Sequence, residues 1–210
     1  MMQLLDCTRA PNPRRVRIFM AEKGIELPRR EIDLSAGEQF SEAFRRINPE
    51  CAVPVLELDD GSAICEVLAI CDYLESQFPG QALLGENARQ RAEVLMWNSR
   101  LEFNGLLAVA EYIRNTLKGF KDRAISGAQN YPQIPELAER GRLRAIAYFQ
   151  RLDAHLDGRE FIATERYTLA DISAQVAVDF ARWLKLDLTA DCANLRRWHE
   201  AVSARPSASA

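Results

Sequence analysis

Cys51-Ala-Val-Pro-Val-Leu-Glu-Leu-Asp-Asp-Gly-Ser-Ala-Ile-Cys-Glu-Val-Leu-Ala-Ile-Cys-Asp-Tyr73 is the stretch from which the rest of the chain is read. Val53 to Leu58 is a short apolar run of strand type, and Asp59-Asp60-Gly61 carries the Asp-Gly signal that reverses a chain into a hairpin. Ser62 to Ile64 supplies a brief second strand. Val67, Ile70, Cys71 and Leu74 then recur at helical spacing, so a helix follows at once. Pro54 stands at the mouth of a strand, where a proline is tolerated and where a cis bond would make a fixed kink. Glu66 falls in the first turn of the helix, where the positive end of the helix dipole favours an ionised carboxylate.

Upstream, Gln3 to Asp6 reads as a first strand. Cys7 to Pro13 reads as a loop, because Pro11 and Pro13 cannot continue a strand and pre-set a helix start. Val16, Phe19 and Met20 carry the apolar stripe of a helix that stops at Gly24. The cluster Arg14-Arg15-Val16-Arg17 reads as a solvated face of that helix. Leu27 to Leu34 is expected as a second strand, and Gly37 to Asn48 as a second helix closed by the Asn48-Pro49 pair. The order β-α-β-α-β-β-α is complete by Phe78.

Downstream, Phe78-Pro79-Gly80 breaks the third helix, and the next few residues have linker composition. Beyond them the chain reads as helical throughout. Leu95, Phe103, Leu106, Ala110, Ile113 and Leu117 mark one long helix from Ala88, and Leu143, Ile146, Phe149, Leu152 and Leu156 a second. Leu169, Ile172, Val176, Phe180 and Trp183 mark a third, and Leu195, Trp198 and Val202 a fourth. Thr168-Leu-Ala-Asp171 opens the third of these as a capping box with Asp in the usual Glu place. The tail from Ser207 is expected to fray. The expected organisation is an α/β domain over 1–79, a linker over 80–87 and an all-α domain over 88–210.

The totals exclude several classes. With 210 residues, 48% hydrophobic and 27% charged, the composition is that of a globular protein with a real core. A net charge of −3, with 9 basic and 14 acidic residues before Pro79 and 18 and 16 after it, leaves neither half a basic nucleic-acid-binding domain. No apolar run is long enough for a membrane helix, and the first residues lack a signal peptide's basic region and cleavage site. Five cysteines without a Cys-x-x-Cys pair, and only two histidines, offer no metal-ligand set, and reduced thiols fit a cytoplasm.

Val-Pro-Val-Leu, an Asp-Gly hairpin and then Glu66-x-x-Ala-Ile-x-x-Tyr-Leu, with the capping box at 168–171, resemble the glutathione transferase family over nearly the whole chain. The resemblance implies an N-terminal thioredoxin-like domain and an all-helical C-terminal domain. It implies a cis Pro54, a Val53 backbone paired with the cysteinyl unit of glutathione, and a Glu66 carboxylate on the γ-glutamyl ammonium. Val67 stands where many relatives bind the γ-glutamyl carboxylate with Ser, and offers only its backbone N–H. Gln39 falls where relatives meet the glycyl end.

Members of this family favour the thiolate with a hydrogen bond from Tyr, Ser or Cys at the start of the first helix, a position that here is Ala10. Alanine cannot donate. Ala10-Pro11-Asn12 is similar instead to a branch that relies on the Asn, whose carboxamide has two N–H donors. Asn12 is therefore the expected catalytic residue, with helix capping as its alternative role. Thr8 and Arg9 are secondary candidates. The second-substrate pocket is expected from Trp97, Arg100, Phe103, Asn104 and Tyr112, which could equally be dimer contacts or core.

The resemblance thus implies a cytoplasmic homodimer with glutathione as co-substrate, activating its thiol for attack on a small hydrophobic electrophile or peroxide. Two alternatives stay open at this point. Ala10 and Val67 suit a non-catalytic binding protein of the same fold, and Cys7 and Cys51 suit a glutathione-dependent thiol–disulfide reductase.

Overall fold

The computed structural model describes residues 2–210, which divide into two compact units. The first runs to Gln81 and takes in Ser126–Asn130 and Ser209–Ala210; the second comprises Ala82–Ile125 and Tyr131–Ala208.

The first unit is the expected thioredoxin-like array: β1 (Gln3–Asp6), α1 (Pro11–Lys23), β2 (Arg29–Glu31), α2 (Glu42–Ile47), β3 (Val55–Glu57), β4 (Ala63–Cys65) and α3 (Val67–Gln77). The sheet order is β2-β1-β3-β4, with β1 parallel to β2 and antiparallel to β3, and β3 and β4 forming the hairpin. Asp60 makes the turn by accepting from the Ser62 N–H (2.9 Å) and hydroxyl (2.6 Å), ahead of a left-handed Gly61. Leu5, Ile32, Phe44 and Val55 form a core cluster, and α3 buries Val67, Ile70, Cys71 and Leu74, the four residues of its apolar stripe.

Two elements are shorter than their patterns suggest. β2 is three exposed residues rather than Leu27 to Leu34, because it is the edge strand and Pro28 has no N–H for a ladder. The second helix is divided at Ser41: a 3₁₀ turn (Glu38–Phe40) precedes it, and the Ser41 hydroxyl then caps α2 by accepting from the Phe44 N–H at 3.2 Å.

The second unit holds α4 (Ala88–Leu101), α5 (Leu107–Thr116), α6 (Pro135–His155), α7 (Leu169–Ala181) and α8 (Ala193–Ser203). A π-helical turn, Glu102–Leu106, joins α4 to α5. It shifts the helical register, so the buried stripe runs through Val94, Asn98, Leu101, Leu106, Val109 and Ile113 while Phe103 is 65% exposed. Leu143 and Trp183 also face outward, contrary to their place in the expected stripes. A Cβ on Gly141 would lie 2.7 Å from the Ala108 carbonyl and the Tyr112 N–H, so glycine permits the close approach of α5 and α6. The tail is ordered rather than frayed: Pro206–Ser209 forms a 3₁₀ turn with Ser207 buried. Among the described residues no helix is long and apolar enough to cross a membrane, and no acidic, His or Cys cluster could hold a metal ion.

α7 is buried almost throughout, and its capping box is complete. Asp171 accepts from the N–H of Thr168 and of Ile162 and from the Trp198 indole, each at 3.0 Å, and from the Thr168 hydroxyl at 3.2 Å. Full burial nevertheless pushes its carboxyl up, from an ordinary 3.8 to about 6. The folded chain therefore holds this proton more tightly than the unfolded chain, and the stability contributed by Asp171 falls as pH rises from about 4 to about 6. Relative to Asp171→Asn, the native protein is expected to lose up to about 3 kcal/mol over that window. Urea unfolding of both proteins across the window measures the difference; a pH-independent difference would contradict it.

Candidate functional site

The strand register brings three chain segments to one edge. Leu5 pairs with Val55, and Val55 with Cys65. One residue further, Asp6, Pro54 and Glu66 arrive together at the same end of the sheet. There β1 passes into the Cys7–Ala10 loop and α1, β3 starts from the cis Val53–Pro54 peptide, and β4 runs into α3.

The loop after β1 is locked by side chains that the sequence does not advertise. Arg15 and Arg17 are 2% and 5% exposed, so the Arg14–Arg17 cluster is not a solvated face. Arg17 donates to Asp6 Oδ1 at 2.6 Å and to the Thr8 carbonyl at 3.0 Å, clamping the loop to the strand. Thr8 donates its N–H (2.8 Å) and hydroxyl (2.9 Å) to the Glu31 carboxylate, and Ala10 closes a turn onto the Cys7 carbonyl at 2.9 Å. Thr8 is thereby committed to structure, and no bond engages Arg9 there.

Ala10 occupies the N-cap of α1 and makes no side-chain cap bond, so Asn12 is not the cap. Pro11, Asn12 and Pro13 fill the first turn. A helix start normally presents several free N–H groups. Here Ala10 spends its own on Cys7 and the two prolines have none, which leaves the Asn12 N–H. The Asn12 side chain is exposed, and its Oδ1 accepts from Arg15 Nη1 at 3.2 Å. The Nδ2 donors are thereby turned away from the guanidinium.

Glu66 stands one residue outside the helix, as the N-cap of α3 rather than in its first turn, with φ of 68°. That left-handed region is unfavourable for a residue with a Cβ, and such outliers cluster at ligand clamps. Its carboxylate is exposed and makes no cap bond, so the first N–H groups of α3, beginning at Val67, have no side-chain acceptor. Val67 itself is buried. The approach to Val53 is held by Asn48, which sequence reasoning treats only as a helix stop. This 3% exposed residue donates from Nδ2 to the Ala52 carbonyl at 2.9 Å and accepts the Glu50 N–H on Oδ1 at 3.0 Å.

Gln39 lies on the 3₁₀ turn, 8% exposed, and its Oε1 is buried without a hydrogen-bond partner. Orphaned acceptors of this kind are rare, and they mark a place where a donor is wanted. The turn itself is fastened by Glu38, which accepts from the Asp33 N–H and from Arg30, both at 2.8 Å.

All five residues expected at a second-substrate pocket lie in the helical unit. Trp97 stacks on His155 (ring centroids 4.2 Å) and carries the Arg100 guanidinium 5.0 Å from its ring centre. With Met96, Arg159 and Thr164 it lines a cleft of about 520 Å³. Asn104 donates to the Arg100 carbonyl at 3.1 Å; Phe103 points outward and Tyr112 is half-buried. None of the five cysteines forms a disulfide. Burial, and the Glu66 carboxylate beside it, push the Cys65 thiol up, which keeps it protonated and unreactive.

Two family models match: "Glutathione S-transferase, N-terminal domain" over residues 10–77 and "Glutathione S-transferase, C-terminal domain" over residues 122–206. Glutathione S-transferase 2 of Saccharomyces cerevisiae is 31% identical over 98% of this chain and 87% of its own length. Rat glutathione S-transferase theta-2 is 32% identical over 95% of this chain and 79% of its own. A crystal structure of a glutathione S-transferase domain-containing protein from Marinobacter aquaeolei superposes with a TM-score of 0.90, at 36% identity and 98% coverage of both chains.

Buried without a partner, the Gln39 oxygen is expected to destabilise the unliganded protein. Gln39→Met keeps the side-chain length and removes the acceptor, and is expected to raise unfolding stability by about 1 kcal/mol in the absence of ligand. Chemical denaturation tests this; a loss of similar size would show that Oε1 is already satisfied.

Proposed function

Because the chain belongs to the glutathione S-transferase family, enzymes that take glutathione as co-substrate, we propose that it activates the glutathione thiol through Asn12 and delivers it to a small hydrophobic electrophile or peroxide. The observation that carries this reading is the start of α1, where no hydroxyl or thiol is available and the free donors are those of Asn12.

A free thiol titrates near 8.5, and only the thiolate is a strong nucleophile, so the site must favour the anion. Two donors from one residue, the Asn12 backbone N–H and its side-chain Nδ2, lie in the first turn of α1, at the positive end of the helix dipole. Ala10-Pro11-Asn12 resembles the branch of the family that relies on the Asn. The remaining contacts follow the tripeptide along the sheet edge. The exposed Glu66 carboxylate suits the γ-glutamyl ammonium, and the open N–H of Val67 suits its carboxylate. The Val53 backbone, beside the cis Pro54, suits the cysteinyl amide, and the unpartnered Gln39 oxygen suits an amide N–H near the glycyl end.

In this reading the electrophile is met by the aromatic and cationic side chains of the helical unit, with Trp97 and Arg100 foremost and Phe103, Asn104 and Tyr112 beside them. The exposed Phe103, Leu107 and Leu143 suit a homodimer, and five free thiols suit the cytoplasm. Cys7 and Cys51, the thiols a disulfide-exchange role would use, are both buried, which gives that role no support.

Asn12→Ala is expected to raise the pKa of the bound glutathione thiol by about one to two units and to lower kcat/KM toward an activated aryl halide by about 10²-fold, as the loss of one preorganised donor does elsewhere. Glutathione affinity should stay nearly constant. Thiolate absorbance against pH, with steady-state kinetics, measures both. Unchanged turnover and an unchanged thiol pKa would overturn the role of Asn12; absence of glutathione binding in the native protein would favour the non-catalytic alternative.

A further inference from the structure

The Asn12 carboxamide can present either its oxygen or its two N–H groups to a neighbour, since the two orientations have almost the same shape. The choice decides its chemistry. Facing a thiolate, the oxygen repels and the N–H groups attract. Nothing in Ala10-Pro11-Asn12-Pro13 makes that choice, and no other side chain of the first turn can replace it.

Arg15 makes it. The guanidinium has donors only, and Nη1 lies 3.2 Å from Asn12 Oδ1, so the oxygen must face Arg15 and the N–H groups must face outward. Residues three apart share a helix face, which puts the pair in register without any special backbone. Arg15 is 2% exposed and therefore cannot swing away as a surface arginine would. The guanidinium draws electron density from the carboxamide oxygen, which makes the Nδ2–H a stronger donor.

The other charges at this edge do not do the same. Arg17 is taken up by Asp6 at 2.6 Å, and Arg29 lies 3.7 Å from the other Asp6 oxygen. Glu31 is held on Thr8, and Glu66 at the head of α3 is negative and opposes a second anion. The bond to the Asn12 carboxamide oxygen comes from Arg15.

We infer that Arg15 is a positioning residue for thiolate formation, fixing and polarising the Asn12 carboxamide so that its N–H groups meet the glutathione sulfur. The inference rests on the role proposed for Asn12 above. It adds a residue that never touches glutathione and acts wholly through another side chain.

The test is a double-mutant cycle read on the pH titration of the bound thiol. Arg15→Met is expected to raise the thiol pKa by about one unit, a tenfold loss of thiolate near neutral pH, with glutathione affinity within about twofold of the native protein. Arg15→Lys, which keeps the charge but not the planar fork, is expected to move the titration in the same direction and guards against a Met variant that fails to fold. In the Asn12→Ala background either substitution should add nothing further, because the two side chains act as one unit. A thiol pKa that moves with Asn12→Ala but not with either Arg15 variant overturns the inference and leaves the function intact. Additive shifts overturn it too, since they would mean that Arg15 acts by bulk charge or by fold. If Asn12→Ala itself has no effect, both fail.

Discussion

The pairing of β1, β3 and β4 is the constraint on which the site depends. Leu5, Val55 and Cys65 lie side by side across the sheet, so the residues that follow Leu5, precede Val55 and follow Cys65 must arrive at one edge. Shifting β1 or β3 by one residue would turn Leu5 or Val55 out of the core cluster they share with Ile32 and Phe44. Core packing therefore sets the register, and the register gathers a helix start, a cis proline and a left-handed Glu66 that are far apart in sequence. The polar features at that edge sit where apolar packing puts them.

Charge then does the finer work. Buried arginines are costly unless their donors are used; Arg17 donates to Asp6 and to the Thr8 carbonyl, and Arg15 to Asn12 in the first turn of α1. Arg17 ties the loop before α1 to β1, and Arg15 faces the carboxamide two positions into the helix. In the role proposed for Asn12, one exposed amide with its oxygen on Arg15 stands in for the usual hydroxyl or thiol donor. The loops at that edge are held in turn by Asn48 on the Ala52 carbonyl and by Glu31 on Thr8.

Much of this was legible in the sequence, for physical reasons. The Asp-Gly turn, the helical spacing of Val67, Ile70, Cys71 and Leu74, and the Thr168–Asp171 box are local signals with local causes, and each appears as read. The order of elements followed from them. What was not legible depends on distant atoms. Whether Arg15 and Arg17 are solvated depends on what packs against α1, and a run of charges carries no such information. The π-helical turn at Glu102–Leu106 breaks the periodicity from which the long helix was read, so Phe103 was placed on the wrong face. Ser41 is a cap because a turn happens to end there, and a hydroxyl within an amphipathic run does not announce it. The positive φ of Glu66 is a product of the strand-to-helix junction and has no compositional sign.

The most direct test of the central claim is a titration of the isotope-labelled protein with reduced glutathione, followed through its backbone and side-chain N–H resonances. The Asn12 backbone N–H, the Asn12 side-chain Nδ2–H₂ and the Val67 N–H are expected to shift together with one saturation curve. Saturable binding that leaves both Asn12 signals in place, or shifts confined to the helical unit, would contradict it.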